Sequence, residues 1–411
     1  MWYVKTNILF FTSLLLGLAT WLLVLVLLPV DVVESIRFNT ILFITLNYFS
    51  LVIGFMCFNF KDKNRILLKQ NSNHLLKAII VIVAVSYLIR YIDLFAIRGI
   101  SFNNNVNTNR VLSVRDFELK YIIFALAAVL KSLYFFPIVI ALSTSVKKKW
   151  IIITSYVLLF LPLVEALLKG SRKPFFDIAI ILVFSILIFT KIKLTKKKII
   201  LFIIGIIALL TITNIILFNR ETKEGKNTYQ EILTARYNDL LKPSKNIEYY
   251  ILNENTPDLN KRTALTLLHV GQYVTHGFFE FNHIVKGEPI PLTYGSYTFS
   301  PFGKLFNKGN ANPSPREYVY ITAFGGLYLD FGWFSLIIML LFGIFQKFVF
   351  QKAINSVIWR PVLSYLLIIN VFLLVFNYVR GAGVYPLVGF FILLLILKTL
   401  LLRPNEKSIN T

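Results

Sequence analysis

Three histidines, His269, His276 and His283, have the spacing of a reactive face. Steps of seven bring them to one side of a helix, and Glu280 joins them one turn after His276. Positions seven apart lie ~10 Å apart along a helix axis, so one metal ion cannot bind all three, and no metal site is expected. A histidine can instead accept the proton of an attacking hydroxyl. His276 is favoured, because Glu280 could orient its ring or raise its pKa and Gly277 would let a substrate approach the backbone. His269 and His283 are the other candidates. The plainer alternative makes all three the solvated side of an amphipathic helix. A second group is cationic. Arg172 and Lys173 lie in the turn Gly170-Ser171-Arg172-Lys173-Pro174, and Arg380 opens the turn Arg380-Gly381-Ala382-Gly383. Guanidinium forks match phosphate oxygens, so Arg172, Lys173, Arg380 and Arg316 are candidates for binding a phosphate or pyrophosphate. Arg90 and Asp93 read as a structural ion pair, and Lys131 as a cation that snorkels or pairs with a carboxylate.

These groups need a membrane-embedded frame. Of 411 residues, 56 % are apolar and 15 % charged, against ~25 % charged in an ordinary soluble domain. That excludes a soluble globular enzyme and a disordered chain. A single cysteine, Cys57, rules out a disulfide framework, and with only four histidines a Cys/His metal cluster is not expected. No G-x-x-x-x-G-K-[ST] loop and no Asp-x-Asp pair is present, and Asp330-Phe331-Gly332 lacks the partners of a kinase motif. Ten spans are expected, near 8–28, 38–60, 75–97, 121–143, 150–168, 174–190, 199–218, 327–346, 361–379 and 384–402. The net charge of +23 then reflects loops rather than nucleic-acid binding. The short loops holding Lys61–Lys77, Lys147–Lys149, Lys191–Lys198 and Lys347–Arg360 are the more basic set, which puts them and both termini in the cytoplasm. Three regions follow: spans one to seven over 1–218, a large outer loop over 219–318, and spans eight to ten over 319–411. Within the loop, 263–286 reads as an amphipathic helix at or dipping into the outer membrane face. Nearly all charges within or bounding spans fall in the outer half, which describes an outward polar cavity with surplus positive charge.

The stretch Ala311–Gly332, ANPSPREYVYITAFGGLYLDFG, resembles the segment before a late span in Wzy-type O-antigen polymerases. Tyr294-Gly295-Ser296-Tyr297 with Pro301, and Gly170-Ser171-Arg172, resemble that family as well. The resemblance implies an all-α polytopic membrane protein of the GT-C-like polymerase and ligase type in the bacterial inner membrane. It implies inverting transfer of a growing glycan from undecaprenyl pyrophosphate to a new lipid-linked oligosaccharide, without a cofactor. It gives Arg172 a place on the pyrophosphate and the histidines, as a group, the role of proton acceptor. Lipid-linked oligosaccharide, membrane lipids and a chain-length regulator protein are the implied partners. Two alternatives stand beside it: a ligase-like transferase with the same lipid carrier, and a lipid-oligosaccharide flippase, which would carry charge through the bundle's whole depth and need no long loop.

Overall fold

The computed structural model describes residues 2–59, 72–113, 121–190 apart from 145 and 147, scattered positions between 195 and 215, 228–287, 290–300, 316 and 319–401. Long apolar runs must bond their backbone polar groups internally, and the described chain is mostly helical. Helix α1 (Trp2–Leu27) leads through strand β1 (Val30–Val32) to α2 (Phe38–Cys57). Helix α3 (Ser72–Tyr91) widens into a π-turn, Ile92–Ile97, before the short α4 (Val106–Ser113). Then come α5 (Ile122–Lys131), α6 (Phe136–Ser143), α7 (Lys149–Phe160), α8 (Pro162–Leu168) and α9 (Lys173–Phe189). The loop region supplies α10 (Thr228–Leu233), a 3-10 turn Arg236–Asp239, β2 (Leu241–Pro243), α11 (Lys245–Leu252) and α12 (Asp258–Lys286). The chain closes with α13 (Ala323–Phe331), α14 (Ser335–Asn355), α15 (Arg360–Phe372) and α16 (Tyr385–Leu401).

Among the described residues seven helical stretches are long and apolar enough to cross a membrane: Asn7–Leu27, Phe38–Cys57, Asn73–Ile97, Ile122–Ser143, Lys149–Leu168, Ala323–Asn355 and Gly381–Thr399. The protein is therefore an all-α, multi-pass membrane protein. The expected span 174–190 is a 17-residue helix. The expected span 199–218 falls largely outside the described residues, as do Lys61, Lys63, Arg65, Lys69, Lys147, Lys191, Lys193 and 196–198 of the basic loops. Residues 301–315 and 317–318, which hold the start of the late motif, are outside them too. Helices α2 and α14 form the closest helix pair: a Cβ on Gly54 would stand 2.1 Å from the Leu340 carbonyl oxygen, and one on Gly343 2.2 Å from that of Leu51. Small residues let backbones approach where lipid offers no hydrophobic drive.

Three expected spans are interrupted, and each break has a cause. Pro137 and Pro162 sit at helix starts and cannot donate to the preceding turn, which separates α5 from α6 and α7 from α8. The span expected over 361–379 stops at Phe372. Beyond it the unwound backbone at 373–377 meets the unwound segment before α13: Ala323 N–H donates to the Leu373 carbonyl (3.0 Å) and Asn377 N–H to that of Ile321 (3.1 Å). Irregular backbone is tolerated at such depth only where protein satisfies it.

Helix α12 differs most from expectation. It extends beyond 263–286 at its N-terminal end, and its polar face is enclosed by protein rather than solvated: Gln272, Thr275, His276, Glu280 and Asn282 are all buried. Asn282 accepts from the Arg37 N–H (2.8 Å) and the Thr40 hydroxyl (2.9 Å) and donates to the Ser35 carbonyl (3.1 Å). Gln272 donates to Asn238 Oδ1 (2.5 Å) and to the Leu241 carbonyl (3.0 Å). Gly277 admits no substrate, because a Cβ there would stand 2.5 Å from the Val375 carbonyl oxygen.

Candidate active site: a basic cavity beside a histidine pocket

The sequence Glu165–Asp177 builds the centre of the site. Gly170 takes a left-handed conformation (φ +55°) that ends α8, and Arg172 and Pro174 start α9 at once. Glu165, Lys169, Lys173 and Asp177 consequently line one cavity of about 710 Å³. Arg90, Arg98 and Lys131 join from α3, its π-turn and α5, and Arg380 from the turn before α16. These are six cations, offset by Glu165, Asp177 and the buried Asp93.

The pairing inside the cavity is organised. Asp93 bonds Arg90 (2.6 Å) and also Arg98 (2.9 Å), which the π-turn's wider step carries onto the same carboxylate. Lys131 is neither alone nor snorkelling: it pairs with Glu165, whose other oxygen lies 3.4 Å from Lys169. Asp177 accepts from the Tyr378 hydroxyl (2.7 Å), and Lys173 lies over the Tyr378 ring at 4.5 Å. The Arg380 guanidinium stacks 4.0 Å from the Tyr297 ring centroid. Cations therefore outnumber carboxylates around an open volume large enough for a diphosphate group.

A second cavity of about 270 Å³ adjoins the first and shares Lys173 and Asp177 with it. Its polar end carries Arg172 and His269, and Val270, Val274, Phe372, Val375 and Phe376 supply apolar lining. Arg172 Nη2 lies 2.9 Å from His269 Nε2, and the Tyr237 hydroxyl 2.6 Å from Nδ1. Arginine can only donate, so Nε2 accepts and the ring proton sits on Nδ1, directed at Tyr237. That tautomer keeps the basic nitrogen on the cavity side.

The three histidines thus have three surroundings. His269 belongs to the site. The favoured His276 lines neither cavity. Its Nδ1 bonds the Gln272 carbonyl (2.7 Å), and its ring packs among those of Tyr320, Tyr237 and Tyr273. Burial pushes its pKa down to about 4, the reverse of the expected rise. Glu280 turns to Arg316 Nε (3.3 Å) and does not orient the His276 ring. His283 bonds Glu34 (2.9 Å) in the α1–α2 connection, where it anchors α12. Arg316 also departs from expectation: Asp239 (3.0 Å) and Glu280 take its guanidinium, and it lines neither cavity. Tyr237, Arg98, Arg110 and Tyr378 were not foreseen at the site. Arg110 donates to the Lys169 carbonyl (2.8 Å) and so caps the end of α8. Only Arg98 left a local signal, its five-residue step from Asp93. Comparison of the chain with family models, with characterised proteins and with solved structures gives no match.

Proposed function

We propose that the protein transfers glycan from a polyprenyl pyrophosphate to a sugar hydroxyl, polymerising lipid-linked oligosaccharide repeat units at the outer face of a bacterial inner membrane. One observation carries this reading: a cation-rich cavity and a histidine pocket share the wall formed by Lys173 and Asp177. The basic cavity suits the donor's pyrophosphate, with Lys173 and Arg380 beside the leaving oxygens. The smaller pocket suits the acceptor, where Tyr273 and Phe376 offer ring faces to a sugar. The hydroxyl proton passes to His269 Nε2 as the Arg172 guanidinium turns its N–H from that lone pair to the departing pyrophosphate. The freed oxygen bonds the anomeric carbon, the bond from that carbon to the phosphate oxygen breaks, and the pyrophosphate leaves with the electron pair. Developing charge on the leaving group is what fixed cations stabilise best in a site shielded from water.

Reconstitution in nanodiscs with a single purified lipid-linked oligosaccharide tests the proposal. A ladder of products is the expected result. Transfer of a single unit to a different acceptor would assign a ligase, and movement of intact substrate between leaflets without a new glycosidic bond would assign a transporter.

A further inference from the structure

Asp330 lies near the end of α13, outside both cavities, yet it is fully buried and strongly engaged. Its Oδ1 accepts from the Thr293 hydroxyl (2.5 Å) and the Tyr297 N–H (3.0 Å), and its Oδ2 from the Thr298 N–H (3.0 Å). Its backbone carbonyl takes the Tyr294 N–H (2.9 Å). One residue thus holds four donors of a single turn, 293–300. That turn needs holding, because Tyr294 (φ +48°) and Gly295 (φ +88°) are consecutive left-handed residues. A residue with a side chain keeps that conformation only where its surroundings over-determine it.

The turn in turn grips Arg380. The Thr298 hydroxyl accepts from Asn377 Nδ2 (3.0 Å), and the Thr298 carbonyl from the Gly381 N–H (3.1 Å), so the bonded residues bracket Arg380 closely. Between these two bonds the Tyr297 ring lies against the Arg380 guanidinium. The Tyr297 hydroxyl is buried and takes no hydrogen bond from the described residues, which leaves the ring face as the functional part of the side chain.

We propose that Asp330 and Tyr297 are positioning residues that hold Arg380 in the basic cavity, so that affinity for a pyrophosphate group depends on a carboxylate outside it. This rests on the reading that the cavity takes pyrophosphate. The test is binding of undecaprenyl pyrophosphate to the full-length protein in nanodiscs, with undecaprenol and inorganic pyrophosphate as comparison probes to separate the contributions of tail and phosphates. Arg380→Ala and Lys173→Ala should each weaken the lipid pyrophosphate by about tenfold or more, as loss of a charged hydrogen bond does. Tyr297→Leu should weaken it by a similar factor, Tyr297→Phe should leave it unchanged, and Asp330→Asn should follow Tyr297→Leu. The double variant Tyr297→Leu/Arg380→Ala should bind no more weakly than Arg380→Ala, which a general loss of structure would not produce. Where Asp330→Asn does not fold, the Tyr297 pair and the double variant decide. Wild-type binding by Tyr297→Leu, additive losses in the double variant, or loss with Lys173→Ala but not Arg380→Ala would overturn the positioning role. Unchanged binding in both Arg380→Ala and Lys173→Ala would instead overturn the pyrophosphate reading of the cavity.

Discussion

His269 and His276 stand seven residues apart on α12 and share a helix face, but their ring nitrogens do different work. At His269 the Arg172 and Tyr237 bonds hold Nε2 as the acceptor on the cavity side. At His276 three tyrosine rings and the Gln272 carbonyl enclose the imidazole, and burial lowers its pKa to about 4. A group so reluctant to take a proton is a poor base near neutrality. His269→Gln should therefore lower the rate of chain extension by about 10²–10⁴-fold, the range for a general base, while lipid-linked substrate still binds. His276→Gln should extend chains within a few-fold of the wild-type rate. The reverse order of losses in a nanodisc turnover assay would return the role to His276. The spacing of seven was legible in the sequence. The tautomer was not, because Tyr237 and Arg172 reach His269 from 32 and 97 residues away.

Helix α12 shows why a polar helix face need not be wet. Its length and amphipathic pattern could be read locally, and α2 and α3 largely fill their expected spans. Helix α14, in contrast, runs on to Asn355 and takes in Lys347 and Lys352, which were expected in a basic loop; Lys347 is buried there and donates to Asn7 (3.1 Å). What covers its polar side comes from the α1–α2 connection, β2 and the 3-10 turn before it, and no periodicity reports such partners. The interruption after Phe372 was equally hidden, since an apolar run long enough to span conceals where its helix stops, whereas Pro137 and Pro162 mark the other two breaks in the sequence itself. Burial has a measurable consequence at Glu280, which is 3 % exposed. One carboxyl oxygen has no hydrogen-bond partner among the described residues, and the other shares Arg316 with Asp239. Burial pushes the pKa up to about 7, with Asp239 and Glu34 adding to it and Arg316 opposing. A carboxyl whose pKa is raised by folding contributes stability that is complete below about 4.5 and lost as pH rises through 7. Glu280→Gln removes that dependence and keeps an acceptor for Arg316. It should match the wild type in thermal unfolding at pH 5 and exceed it at pH 8 by about 1–3 kcal/mol. Equal or lower stability at pH 8 would mean that Glu280 is ionised and fully compensated by Arg316.

At the scale of the whole molecule, both cavities open at the end of the bundle where α8 meets α9 and α16 begins. Cations gather there, although basic loops ordinarily mark the cytoplasmic side. The contacts resolve the tension. Arg90 and Arg98 are bound to Asp93, Lys131 and Lys169 to Glu165, Arg110 to carbonyls at the end of α8, and Arg172 to His269. These charges are paired within the folded protein, which sets them apart from free loop charges. Exposed Lys148, just before α7, and Lys149, its first residue, lie at the opposite end of those spans and remain boundary charges of the ordinary kind. The cavity end should accordingly face away from the cytoplasm, where a lipid-linked glycan would be met. Single cysteines introduced in a Cys57→Ser background test this with an impermeant thiol reagent added to intact cells, because Cys57 is the chain's only cysteine. Tyr249, 71 % exposed on α11, should label as Tyr249→Cys without permeabilisation. Lys148→Cys should label only after it. Labelling of Lys148→Cys in intact cells would turn the molecule over and place the basic cavity on the cytoplasmic side, where a polymerase using externalised substrate could not work.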